Sequence, residues 1–162
     1  MKIELKNFKH YDRLSEETLA FVGNIWVNGV KCGYAENTGK GGCCSYHHEG
    51  TELSRELIRD AEGFCESNST TLYDYLDELA CELATRKEQD TIAKKLNKGM
   101  QKAILIGTYT EYQVISFKKP LREVWETQPD YFKKVLNEKL EKYKPKGYKL
   151  LNTNIPQQFL NN

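Results

Sequence analysis

The four residues Val27-Asn28-Gly29-Val30 constrain the fold more than any other part of this chain. A type I′ turn needs positive φ at both central positions, and Asn and Gly tolerate it best. The twist of that turn suits two antiparallel strands. Its flanks agree. Upstream, TLAFVGNIWV sets Leu19, Phe21, Ile25 and Val27 on one face and Ala20, Val22 and Trp26 on the other. Downstream, VKCGYAEN reads as the return strand. KIELKNF alternates Ile3 and Leu5 with polar neighbours and adds a third strand, with YDRLSEE as the link. The expectation is a three-stranded antiparallel meander over residues 2–37.

The pattern then changes period. TELSRELIRDAEGFCE places Leu53, Leu57, Ile58, Ala61, Phe64 and Cys65 at helical spacing. Thr51 is its cap, with Ser54 where a full capping box would carry Glu. After the break SNSTT, LYDYLDELACELATRKEQ repeats Leu72, Tyr75, Leu76, Leu79, Ala80 and Leu83. This second helix extends towards Leu96, with Gly99 ending it. KAILIGTY and EYQVISF read as a second hairpin. Pro120 opens LREVWE and Pro129 opens DYFKKVLNEKLEKY, as proline suits a first helical turn. YKLLNTNI is the last strand. Strands, then helices, then strands indicate an α+β fold rather than alternating βαβ units. It consists of an N-terminal antiparallel β-meander, a central helix pair, a second hairpin, and a C-terminal helix and strand. At 162 residues, one domain over 1–162 is expected, with room for a small subdomain. Residues 156–162 form a flexible tail unless Phe159 and Leu160 dock.

No apolar run reaches the length of a membrane span, and the N-terminus lacks the pattern of a signal peptide. A cytoplasmic setting is therefore expected. It would keep the five cysteines reduced, with Cys65 and Cys81 as small core residues. The net charge of +1 conceals an uneven distribution. Residues 1–48 carry about +1, residues 49–90 about −8 and residues 91–162 about +8. The basic half could meet phosphates; equally, the opposed blocks could pair within the chain or across a homo-oligomer.

The least ordinary stretch is GKGGCCSYHH, residues 39–48. As a zinc site it is poorly spaced, because adjacent cysteines cannot easily turn to one ion and no second ligand pair exists. No metal or cofactor is expected. As a nucleophile site it sets Cys43 and Cys44 beside His47 and His48, closer in sequence than a typical Cys-His pair. The anion reading asks less. Gly39, Gly41 and Gly42 permit positive φ, and their successive N–H groups can form a nest. Lys40 adds charge, and Tyr46, His47 and His48 could orient the rest of a ligand. A plain strand-to-helix connection would need none of this.

The run TLAFVGNIWVNGVKCGYAENTGKGGCCSYHH also resembles a segment of small bacteriophage-encoded proteins of unassigned activity. These share a strand, an Asn-Gly or Asp-Gly hairpin, and GxGG followed by a Tyr-His pair. The matching residues are Gly39, Gly41, Gly42, Tyr46 and His47. The resemblance implies a viral accessory protein at work in host cytoplasm.

The leading expectation is a non-enzymatic binding protein, a phage accessory or anti-host-defence factor. It would capture a phosphate-bearing, nucleotide-like molecule or a host component through Gly39, Lys40, Gly41, Gly42, Tyr46, His47 and His48. One alternative is nucleic-acid binding by the basic half, with Lys94, Lys95, Lys98 and Lys102 at helical spacing. Another is a Cys/His-dependent enzyme.

Overall fold

The computed structural model describes residues 1–160. The architecture is α+β, and the chain divides into two compact units, Met1–Glu88 and Gln89–Asn162. The sequence suggested one domain with room for a subdomain.

The first unit is a four-stranded antiparallel sheet in the order β1 (Ile3–His10), β2 (Phe21–Val27), β3 (Val30–Asn37), β4 (Ser45–His48). The expected meander is present, and its turn is of the expected type: Asn28 has φ 50° and Gly29 φ 84°. Strand β4 is an addition. It occupies SYHH, which the sequence placed in the loop before the first helix, and pairs Ala35 with Tyr46 and Tyr34 with His47. Gly33 makes this pairing possible, since a Cβ there would lie 2.2 Å from the His47 carbonyl oxygen.

Helix α1 (Glu52–Ser67) begins at Thr51, whose Oγ1 accepts from the Ser54 amide at 3.1 Å. Ser54 Oγ donates back to the Thr51 carbonyl at 2.8 Å, whereas a capping-box glutamate would accept from the Thr51 amide. Helix α2 runs from Leu72 to Met100 and carries Gly99 in its last turn. The expected stop at Gly99 thus falls one residue late.

Alternation in β2 buries Phe21, Ile25 and Val27 against Ile58, Ala61 and Cys65 of α1 and Leu72, Leu76 and Ala80 of α2. Each large aliphatic side chain so buried contributes about 2 kcal/mol. All five thiols are free. Cys65 is in this core, but Cys81 is exposed. In the first half of α2 the buried side is carried by Leu72, Leu76 and Ala80, and Cys81 follows Ala80 onto the solvent side.

The second unit is a three-stranded antiparallel sheet in the order β6 (Tyr112–Ser116), β5 (Ala103–Gly107), β7 (Lys149–Leu150). Strand β5 is buried along its whole length. Ile104 and Ile106 pack with Leu121, Val124, Phe132 and Leu136, while Ala103 and Leu105 pack with Leu96 and Met100. Leu121 and Val124 belong to α3 (Leu121–Thr127), Phe132 and Leu136 to α4 (Pro129–Tyr143).

The last strand is far shorter than YKLLNTNI suggested. After Leu150 the buried Asn152 side chain takes over the pairing. Its Oδ1 accepts from the Leu105 amide at 2.6 Å, and its Nδ2 donates to the Ala103 carbonyl at 3.0 Å. Phe159 is buried against Phe132, with ring centroids 5.1 Å apart, so the expected tail docks through that residue; positions 161 and 162 lie outside the described residues. No helix among the described residues is long and apolar enough to cross a membrane.

Candidate functional site

The Gly39–His48 segment splits into a turn and a strand. In the turn, Gly39, Gly41 and Gly42 have φ of 82°, 97° and 80°, the left-handed conformation their sequence suggested. The Gly39 and Gly41 amides, however, find partners within the chain, as does the Cys44 amide that follows the turn. Asn37, buried at the end of β3, accepts from the Gly39 amide through Oδ1 at 2.9 Å. The Gly41 amide donates to Thr18 Oγ1 at 3.3 Å, and the Cys44 amide donates to Asp77 Oδ2 at 2.9 Å. The Gly39 carbonyl accepts from the amides of Glu16 and Glu17, at 2.9 and 3.0 Å. An added Cβ at Gly39 would stand 2.2 Å from the Leu14 carbonyl oxygen. The close backbone approach that glycine permits is thus to the chain's own backbone.

Three carboxylates surround the turn. Asp77 holds the Cys44 amide, Asp74 Oδ1 lies 3.9 Å from Cys43 Sγ, and Glu17 Oε2 lies 2.5 Å from where a Gly41 Cβ would stand. An external anion would meet their repulsion, with the exposed Lys40 on the opposing side.

The strand portion separates the other expected ligand groups, because successive residues point to opposite faces. Tyr46 turns towards the helices; its hydroxyl donates to Glu62 at 2.6 Å, and its ring lies 4.6 Å from that of Tyr73. Burial, reinforced by Glu62, pushes its pKa up. His47 lies on the other face, stacked on Tyr34 at 5.0 Å. His48 accepts from the Gly50 amide through Nδ1 at 2.9 Å. Tyr46, His47 and His48 do not converge on one point.

Burial and the Asp77 carboxylate push the Cys44 thiol up to about 12, and it donates to the Tyr73 carbonyl at 3.4 Å. Cys43 is exposed, with Asp74 rather than a cation beside it. Among the described residues no group of three or more His, Cys, Asp or Glu side chains could hold a metal ion.

The second unit presents the contrasting surface. It carries fourteen basic and seven acidic residues, a net +7, whereas the first unit carries ten and sixteen, a net −6. The charge division of the sequence therefore coincides with the structural one. Lys94, Lys95 and Lys98 are exposed on α2, and Lys102 is exposed just beyond it. Among the described residues of this unit, only Lys119, Arg122 and Lys144 form ion pairs, with Glu123, Glu126 and Glu141.

An open groove of about 650 Å³ runs between the end of β6 and helices α3 and α4. Its lining includes Phe117, Lys118, Lys119, Val124, Tyr131 and Lys139. The Phe117 and Tyr131 rings meet edge to face, 6.5 Å apart at 88°. The run YFKKVLNEKLEKYKPKGYK interleaves lysines with Tyr131, Tyr143 and Tyr148, a composition that suits single strands and equally an amphipathic helix. Phe117 and Lys118 carried no such signal, because only tertiary folding brings them to α4.

No protein-family model, no curated protein and no solved structure matches the chain.

Proposed function

We propose that this chain is a non-enzymatic binding protein whose second unit holds nucleic acid by its phosphates. The observation that carries the reading is the set of uncommitted cations: a net +7 on 74 residues, with three of its fourteen basic side chains ion-paired among the described residues. Clustered charges of one sign raise the local potential, and each neutralised phosphate releases condensed counterions from the nucleic acid. Lys94 and Lys98 stand four residues apart on α2, so two phosphate partners along one helical line are geometrically natural, with Lys102 just beyond the helix end. The Gly39–His48 turn is the poorer seat for a phosphate, since its donors at Gly39, Gly41 and Cys44 already serve Asn37, Thr18 and Asp77.

The test is fluorescence anisotropy of labelled oligonucleotides titrated with the full chain, over about 50 to 200 mM salt. Affinity should fall linearly on a log–log plot. Replacing Lys94, Lys95, Lys98 and Lys102 together by Gln should flatten that line. The slope should change by about 0.7 for each phosphate of a single strand that is no longer neutralised. Absence of binding at the lowest salt refutes the reading.

A further inference from the structure

We propose that the groove beside β6 is a seat for an unpaired nucleobase, so that the nucleic acid held by the second unit is single-stranded. This inference rests on the reading above and narrows it. Three observations lead to it.

Tyr131 is 53% exposed, although its neighbour Phe132 on α4 is fully buried. A large ring is thus left in water at the lip of a groove, beside the half-buried Phe117. An edge-to-face pair leaves ring surface that its partner does not cover, and a base can stack there. The groove volume, about 650 Å³, lies in the range that accommodates small organic ligands.

The charge is complementary to a backbone passing the same place. Lys118 and Lys139 line the groove, and neither forms an ion pair among the described residues. Lys119 is held by Glu123. Glu138 also lines the groove, so the lining stays net positive, and two uncommitted ammonium groups beside aromatic rings match a strand whose phosphates alternate with exposed bases.

The surroundings exclude a paired base. Bases within a duplex are stacked on their neighbours and offer only their edges. A groove walled by a strand end and two helices takes a base only when it is splayed out of the stack. Gln128, which also lines the groove, carries both a donor and an acceptor for such a base.

The experiment compares three labelled ligands of about twelve nucleotides on the full chain, within the usual span of single-strand sites. They are a single strand, the same strand as duplex, and a single strand with abasic sugars. Parent, Tyr131→Ala and Tyr131→Phe proteins are used; Tyr131 is exposed, and thermal melts check that folding is unchanged. The parent should bind the single strand about tenfold more tightly than the duplex or the abasic strand, as one stacked base implies. Tyr131→Ala should remove that preference and keep the parental salt slope. Tyr131→Phe should retain it. A 2-aminopurine in the strand should lose fluorescence on binding to the parent but not to Tyr131→Ala. Equal binding of all three ligands, or an unaltered preference in Tyr131→Ala, overturns the base seat while the phosphate reading stands. Failure to bind any of them at low salt overturns both.

Discussion

Removing the Asp77 carboxylate tests most directly what the glycine turn is for. Its Oδ2 accepts from the Cys44 amide at 2.9 Å and its Oδ1 from Asn37 Nδ2 at 3.4 Å. Asp77→Ala leaves the Cys44 amide, beside a side chain only 3% exposed, without a partner. An orphaned donor of this kind costs about 1–3 kcal/mol, and the longer bond to Asn37 adds little. A loss of about 2 kcal/mol, for a chain of this size, lowers Tm by about 4–8 °C. Asp77→Asn keeps an acceptor oxygen but loses the charge, and should cost about half as much. Circular dichroism melts supply the Tm, and hydrogen exchange at the Cys44 amide reports the local bond. A Tm within a degree of the parent, together with a Cys44 amide still protected in Asp77→Ala, would show that the carboxylate does not hold the turn.

Other outcomes follow from the same packing and hydrogen bonds. Gly39→Ala combines a positive φ with a Cβ 2.2 Å from the Leu14 carbonyl oxygen, whereas Gly42→Ala has the positive φ alone. Urea denaturation should show a cost of about 1 kcal/mol at Gly42 and at least twice that at Gly39. Asn152→Leu leaves the Leu105 amide and the Ala103 carbonyl unpaired and should cost about 3 kcal/mol in the same assay. Thiol titration at pH 8 should detect Cys43 and Cys81 in the folded protein and all five cysteines after unfolding. The Cys44 thiol, ordinarily at 9.0, rises to about 12 when folded, so the folded state holds that proton more tightly. The resulting stabilisation is intact below pH 9 and is lost as pH climbs towards 12. Cys44→Ala should therefore show a shallower fall in stability across that window.

Elements with strong local signals were legible in the sequence. Asn28-Gly29 specified the hairpin because few residue pairs accept its dihedrals, and α1 followed from its apolar spacing and its Thr51 cap. Strand β4 was not legible. SYHH has no apolar alternation, and its pairing depends on the absence of a side chain at Gly33, twelve residues before Ser45. The brevity of β7 was hidden for a related reason. An Asn side chain can stand in for a backbone pair, and nothing local announces that Asn152 does so. At the glycine turn the sequence disclosed the φ values but not the recipients of the amides. Thr18 and Asp77 come from 23 and 33 residues away in the chain. The groove is likewise a product of tertiary packing, since residues 115–119 and 124–139 meet only once α4 lies on β5.

The two-sided burial of β5 has a bearing on how the chain is made. One of its flanks is completed by Ile155 and Phe159, which are synthesised long after the strand itself. The first unit contains all of its own partners by residue 88 and is free to form while translation continues. The second is complete only once Phe159 has left the ribosome, with Ile104 and Ile106 covered until then by α3 and α4 alone. A premature stop just ahead of Ile155 would thus leave the acidic unit folded and the basic one without its closing wedge.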